Sequence, residues 1–155
     1  MANKLTVTGD ISASGTVYGT LDQVASGSVN TGTGTANTWA GCCAAKSIQS
    51  GAACNTAFGF HALSGLTTGD ANTAIGALSL CSNTTGNKNK AVGSCALGKL
   101  TTTCHNTAVG TDSLATSTTG CRNTALGAGA GYAVTTGMKN TLIGQGAGPA
   151  ITTGS

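Results

Sequence analysis

Few residues in this 155-residue chain are able to do chemistry. There are seven cysteines (Cys42, Cys43, Cys54, Cys81, Cys95, Cys104 and Cys121), two histidines (His61 and His105) and four aspartates (Asp10, Asp22, Asp70 and Asp112), and glutamate is absent. No Cys-x-x-Cys occurs, and neither histidine extends a metal-ligand spacing, so no metal site is expected. An odd number of cysteines without a visible secretion signal reads as small buried thiols in a reducing cytoplasm. Cys104 and Cys121 stand 17 residues apart. They are placed to bond if oxidised, but two small residues also coincide there without any bond. Asp112 and His105 are expected in one coil with serines and threonines around them. In a chain this rich in hydroxyls, a Ser/His/Asp set arises by accident. Paired carboxylates, a nucleophile elbow, a phosphate loop and calcium-binding nonapeptides are all missing. The expectation is a non-enzymatic protein with no catalytic residues and no cofactor.

Composition narrows the class further. Charged residues make up 7% of the chain, against roughly 25% in an ordinary domain. The seven bases (Lys4, Lys46, Lys88, Lys90, Lys99, Arg122 and Lys139) leave a net charge of +3, too dilute for a nucleic-acid partner. No apolar run reaches the roughly 18 residues of a membrane span. Gly, Thr, Ser, Asn and Ala dominate. They suit stacked turns and short strands, and no stretch carries the spacing of an amphipathic helix.

The elements that hold these residues are set by a repeat. Asn opens a unit at Asn55, Asn72, Asn89, Asn106, Asn123 and Asn140, every step being 17 residues. An earlier unit starts at Asn37, is one residue longer, and carries Gly51 where the others have the Gly of a Thr-Thr-Gly. Such a period predicts an all-β chain, a short-coil parallel β-solenoid with two turns and two short strands per coil. Two domains follow: a strand-rich anchor and connector over 1–36, and about seven solenoid coils over 37–155.

Each column has a physical job. Phe58, Ile75, Val92, Val109, Leu126 and Ile143 are expected to stack into a continuous core. Glycine follows in each unit (Gly59 to Gly144), which points to positive φ or close backbone approach. A second glycine column (Gly69, Gly86, Gly120, Gly137, Gly154) is broken by Thr103, at a cost if that position is left-handed. Ala57, Ala74, Ala91, Ala108 and Ala125 precede the large apolar residues and so face the other side of the strand. Both faces are therefore apolar. One lines the coil interior and the other presses on something, most simply other copies of the chain, giving a homo-oligomer. The Asn column is placed to stack as a hydrogen-bonded ladder. The Thr pairs supply β-branched strand residues. Lys88, His105, Arg122 and Lys139 precede successive Asn residues and form either a basic stripe for an anionic glycan or phosphate, or a solvated ridge.

The ends differ. The opening LTVTGDISASGTVYG alternates apolar and polar residues around glycines and reads as short strands that dock onto a larger assembly or cap the first coil. Trp39 is read as a plug on the end of the core. In the last coil Leu142 replaces Ala and Pro149 appears. Proline cannot extend a ladder, so this end reads as a modest cap.

The consensus NTAxGxxALxxxTTGxx resembles the repeats of bacteriophage fibre proteins and, more distantly, is similar to the trimeric β-roll heads of bacterial autotransporter adhesins. The similarity spans Asn37 to Ser155, and the opening segment looks like the one that precedes the shaft in many phage fibres. The resemblance implies a parallel homotrimer, intertwined or side by side, on a virion assembled in the host cytoplasm. Both the Ala and the large apolar columns would then form its core and trimer interface. Leu5, Val7, Ile11, Val17 and Tyr18 would anchor it to other capsid or tail proteins. The rod is short, on the order of 34 Å at about 4.8 Å per coil, which suits capsid decoration as well as a short tail fibre. Recognition of a host surface glycan is the alternative. An ice-binding face needs Thr-x-Thr, whereas the paired threonines here are adjacent and face opposite sides.

Overall fold

The computed structural model describes residues 36–154. The expectations for Leu5, Val7, Ile11, Val17 and Tyr18 lie outside the described residues. Seven three-residue strands run in chain order: β1 (Thr38–Ala40), β2 (Thr56–Phe58), β3 (Thr73–Ile75), β4 (Lys90–Val92), β5 (Thr107–Val109), β6 (Thr124–Leu126) and β7 (Thr141–Ile143). They form one parallel sheet in the order β1 to β7. The register is an unbroken stack of equivalents, such as Ala74 on Ala91 and Ile75 on Val92. The chain is a β-solenoid with six turns between its first and last strands. Each coil contributes one strand, not two. The Thr-Thr segment is no strand, although its backbone continues the ladder, as in Thr67 N–H to the Thr84 carbonyl (2.8 Å). The threonine hydroxyls add rungs of their own: Thr67, Thr84, Thr101, Thr118 and Thr135 each donate to the equivalent carbonyl one coil on, at 3.0–3.4 Å.

The Asn ladder is built as its spacing suggests. The Asn72 Oδ1 accepts the Asn89 backbone N–H at 3.0 Å and its Nδ2 at 3.3 Å. The Asn89 Nδ2 also donates to the Thr103 carbonyl at 2.8 Å, tying the start of the coil to its end. Buried polar groups must be paired, and here one side chain satisfies groups from two coils at once.

Glycine has two distinct uses. Gly93 has φ +136°, and a Cβ there would lie 2.5 Å from the Gly110 carbonyl of the next coil, so both conformation and space demand glycine. At the Thr-Thr-Gly column only the space matters, because Thr103 is not left-handed. Thr103 is accommodated, and its hydroxyl donates to the Gly120 carbonyl at 2.9 Å. In the first coil Ala52, not Gly51, fills this column. Ala52 is fully buried and its carbonyl takes the Asn37 Nδ2 at 2.9 Å. Gly51 is exposed at φ +106° beside it.

The interior corrects the reading of the two apolar faces. Ala57, Ala74, Ala91, Ala108 and Ala125 point inward and are at most 1% exposed. Phe58, Ile75, Val92, Val109, Leu126 and Ile143 point outward and are 37–68% exposed. The reason lies at the opposite corner of the coil. Leu63, Leu80, Leu97 and Leu114 adopt left-handed φ of 49–52° and are fully buried. Leu66, Leu100 and Val134 fill the space beside them. A coil this narrow then has room only for a methyl group on the facing strand.

Where the corner residue shrinks, the strand residue grows. Gly131 and Gly148 replace the corner leucines of the last two coils, and a Cβ on either would lie 2.8 Å from a Leu142 methyl. Leu142 occupies the place where other coils have Ala, filling volume that the glycines vacate. At the first coil Trp39 stands in the same inward column, paired with Ala57, and packs against the core. Both ends thus carry a large inward residue.

Candidate functional site

The feature that repeats in every coil without being consumed by the coil's own packing is the outward face of the sheet. Alternation along each strand sends its first and third residues the same way. Thr56 and Phe58, Thr73 and Ile75, Lys90 and Val92, Thr107 and Val109, Thr124 and Leu126, and Thr141 and Ile143 therefore share one flat side. Parallel registry stacks the large side chains on a spacing of about 4.8 Å. The result is an apolar stripe flanked by a row of threonine hydroxyls, interrupted only by Lys90. Parallel sheets ordinarily have both faces covered, and a contiguous exposed apolar stripe marks an association surface.

The other singled-out residues fall elsewhere. Lys88, His105, Arg122 and Lys139 are all exposed and adopt φ of 57–63°. Their backbone N–H groups bind the preceding coil one rung at a time, as in Lys88 to the Asp70 carbonyl (2.9 Å) and Arg122 to the Cys104 carbonyl (3.3 Å). They form a basic ridge along one edge. The cysteines are not buried: Cys42, Cys43 and Cys54 are exposed and the other four are half-buried. Their column positions lie on the outside of the coil, so the expectation of buried thiols does not hold.

The structure does not join His105 to Asp112. Asp112 lines an outer groove of about 320 Å³ with Leu78, Cys95, Lys99, Thr116 and Tyr132, and His105 is not among its walls. Ser113 is buried and its hydroxyl donates to the Gly110 carbonyl at 2.9 Å, so it braces a turn. The groove exists because Gly98 and Ala115 are small where Cys81 and Tyr132 stand in the coils on either side. Sequence reading missed it, since only the run of unequal residues in one column signals it. Among the described residues no group of three or more His, Cys, Asp or Glu side chains is placed to hold a metal ion. Among the described residues no helix is long and apolar enough to cross a membrane.

No family model, curated protein or solved structure matches the chain.

Proposed function

We propose that the protein is a non-enzymatic structural component of a virion, a homotrimeric β-solenoid knob or short fibre that serves as capsid decoration or as a short tail fibre. The observation that carries this reading is the outward stripe from Phe58 to Ile143, large and apolar in six successive coils yet 37–68% exposed in the single chain. Three copies around a common axis would each turn this stripe inward. The matching period lets rung meet rung along the full length. Covering each side chain contributes on the order of 1 kcal/mol, and the repetition supplies the sum. The basic ridge and the remaining threonines would then face solvent. The repeat's resemblance to phage fibres supports the virion assignment, and residues 1–36 supply the segment that would bind other capsid or tail proteins.

Recognition of a host glycan is the second reading. The groove favours it, because the half-exposed Tyr132 shares its walls with Asp112 and Lys99. An apolar surface with a few polar groups at its rim is the usual make-up of a small-ligand site.

Deleting residues 1–30 tests the virion assignment. The truncated rod is expected to remain folded by circular dichroism and to lose its place on purified particles. If the truncated chain still co-purified with particles in full amount, the anchoring role would be refuted. Copy number per particle separates the two locations: hundreds for capsid decoration, tens or fewer for a tail appendage.

A further inference from the structure

Cys42 and Cys43 are adjacent in sequence, both exposed, with their sulfurs 3.4 Å apart. They occupy the first outer corner of the first coil. The Cys42 carbonyl there accepts the His61 N–H at 3.0 Å, and Cys43 takes the left-handed conformation at φ 61°. Among the described residues, this is the one sulfur–sulfur contact. Cys81 instead reaches the Gly98 carbonyl at 3.3 Å, and Cys95 lies 3.8 Å from the Ser94 hydroxyl. Both thiols are already at contact distance, so pairing them needs no approach of another coil.

We infer that Cys42 and Cys43 form a two-electron modification site that closes to a vicinal disulfide by exchange with a small-molecule disulfide such as oxidised glutathione. One cysteine thiolate attacks a glutathione sulfur, and a glutathione thiolate leaves. The second cysteine thiolate then attacks the protein sulfur of the mixed disulfide and expels the other glutathione. The chain loses two protons and two electrons, together two hydrogen atoms, and one oxidised glutathione becomes two reduced molecules. Adjacent Cα atoms are about 3.8 Å apart across a trans peptide, below the usual Cα separation of a disulfide. The ring is therefore strained and reopens readily with thiols, which is the character of a labile and not a structural bond. Closure stiffens a corner of the end coil without linking it to any other coil. The hydrogen bond with Cys43 holds the Cys42 pKa above the usual thiol value. Less thiolate is then present near neutrality, and closure accelerates as pH rises through the ordinary thiol range and above it.

The full chain itself provides the assay. Trypsin cleavage after Lys4 and Lys46 releases residues 5–46, a peptide that holds Cys42 and Cys43 and none of the other five cysteines. The folded protein is treated with oxidised glutathione, its remaining thiols are alkylated, and the digest is weighed by mass spectrometry. The expected peptide is two hydrogens lighter than the dithiol and carries neither alkyl nor glutathione groups; prior reduction restores two alkylation sites. In Cys42→Ser the same peptide is expected to retain one glutathione on Cys43. A wild-type peptide with two alkyl groups, with two glutathiones, or crosslinked to another peptide would overturn the inference.

Discussion

Replacing Gly93 with alanine is expected to destabilise the solenoid by on the order of 4 kcal/mol. Two causes act together. The residue holds φ +136°, which an L side chain tolerates poorly, and the new Cβ would lie 2.5 Å from backbone atoms of Gly110. The obstacle is a carbonyl in the next rung, not a flexible side chain, so relief requires the coils to part. Gly144 separates the two causes. It shares the column and the conformation, at φ +118°, but nothing lies within 4 Å of its added Cβ. Gly144→Ala is expected to show the conformational strain alone, roughly 1–2 kcal/mol. Denaturant midpoints for the two variants check this. Equal losses would mean that close stacking of the coils contributes nothing.

Asn89→Ala is expected to cost about 3–5 kcal/mol, because several buried polar groups lose their partners at once. The Asn89 Oδ1 accepts the Asn106 N–H at 3.0 Å and its Nδ2 at 3.2 Å, and the Asn89 Nδ2 donates to the Thr103 carbonyl. Alanine restores none of these, and the site is fully buried, so water has no easy entry. Asn140 in the last coil is half-buried, and its Nδ2 bonds to Asn123 and Gly154 include one exposed partner. Asn140→Ala is therefore expected to cost about 1–2 kcal/mol, because its two Nδ2 bonds are partly solvent-accessible and the Asn123 Oδ1 keeps the backbone N–H at position 140. Hydrogen exchange adds a spatial check: protection in Asn89→Ala should fall first at the backbone amides of Asn106 and its neighbours.

Much of this architecture is legible in the sequence because certain columns admit one residue type. An Asn every 17 residues has few uses other than a ladder, and an invariant glycine after a strand has few other than a left-handed or crowded site. The direction of the two apolar columns was not legible. Alternation establishes that Ala91 and Val92 face opposite ways, but not which way is in. The answer depends on Leu97, which reaches the interior only because it is left-handed, and leucine gives no sign of that conformation. The left-handed corners are written openly only in the last coils, where Gly129 and Gly131, then Gly146 and Gly148, take those positions. Elsewhere His61, Cys95 and Asp112 hold the same geometry with side chains that disguise it. The outer groove was hidden for a related reason: it comes from size differences within one column and not from any motif.

The outward stripe makes one demand that the inward alanines do not. A charge at Val109 is compatible with a folded coil, because that side chain is 38% exposed in the single chain, but not with a dry surface between copies. Native mass spectrometry of the wild type and of Val109→Asp, with circular dichroism on the same samples, measures this directly. The wild type is expected at three times 14.8 kDa. Val109→Asp is expected at the single-chain mass with its β spectrum unchanged. A wild type that flies as a monomer, or a Val109→Asp variant that stays trimeric, would contradict the assignment of this face to self-association.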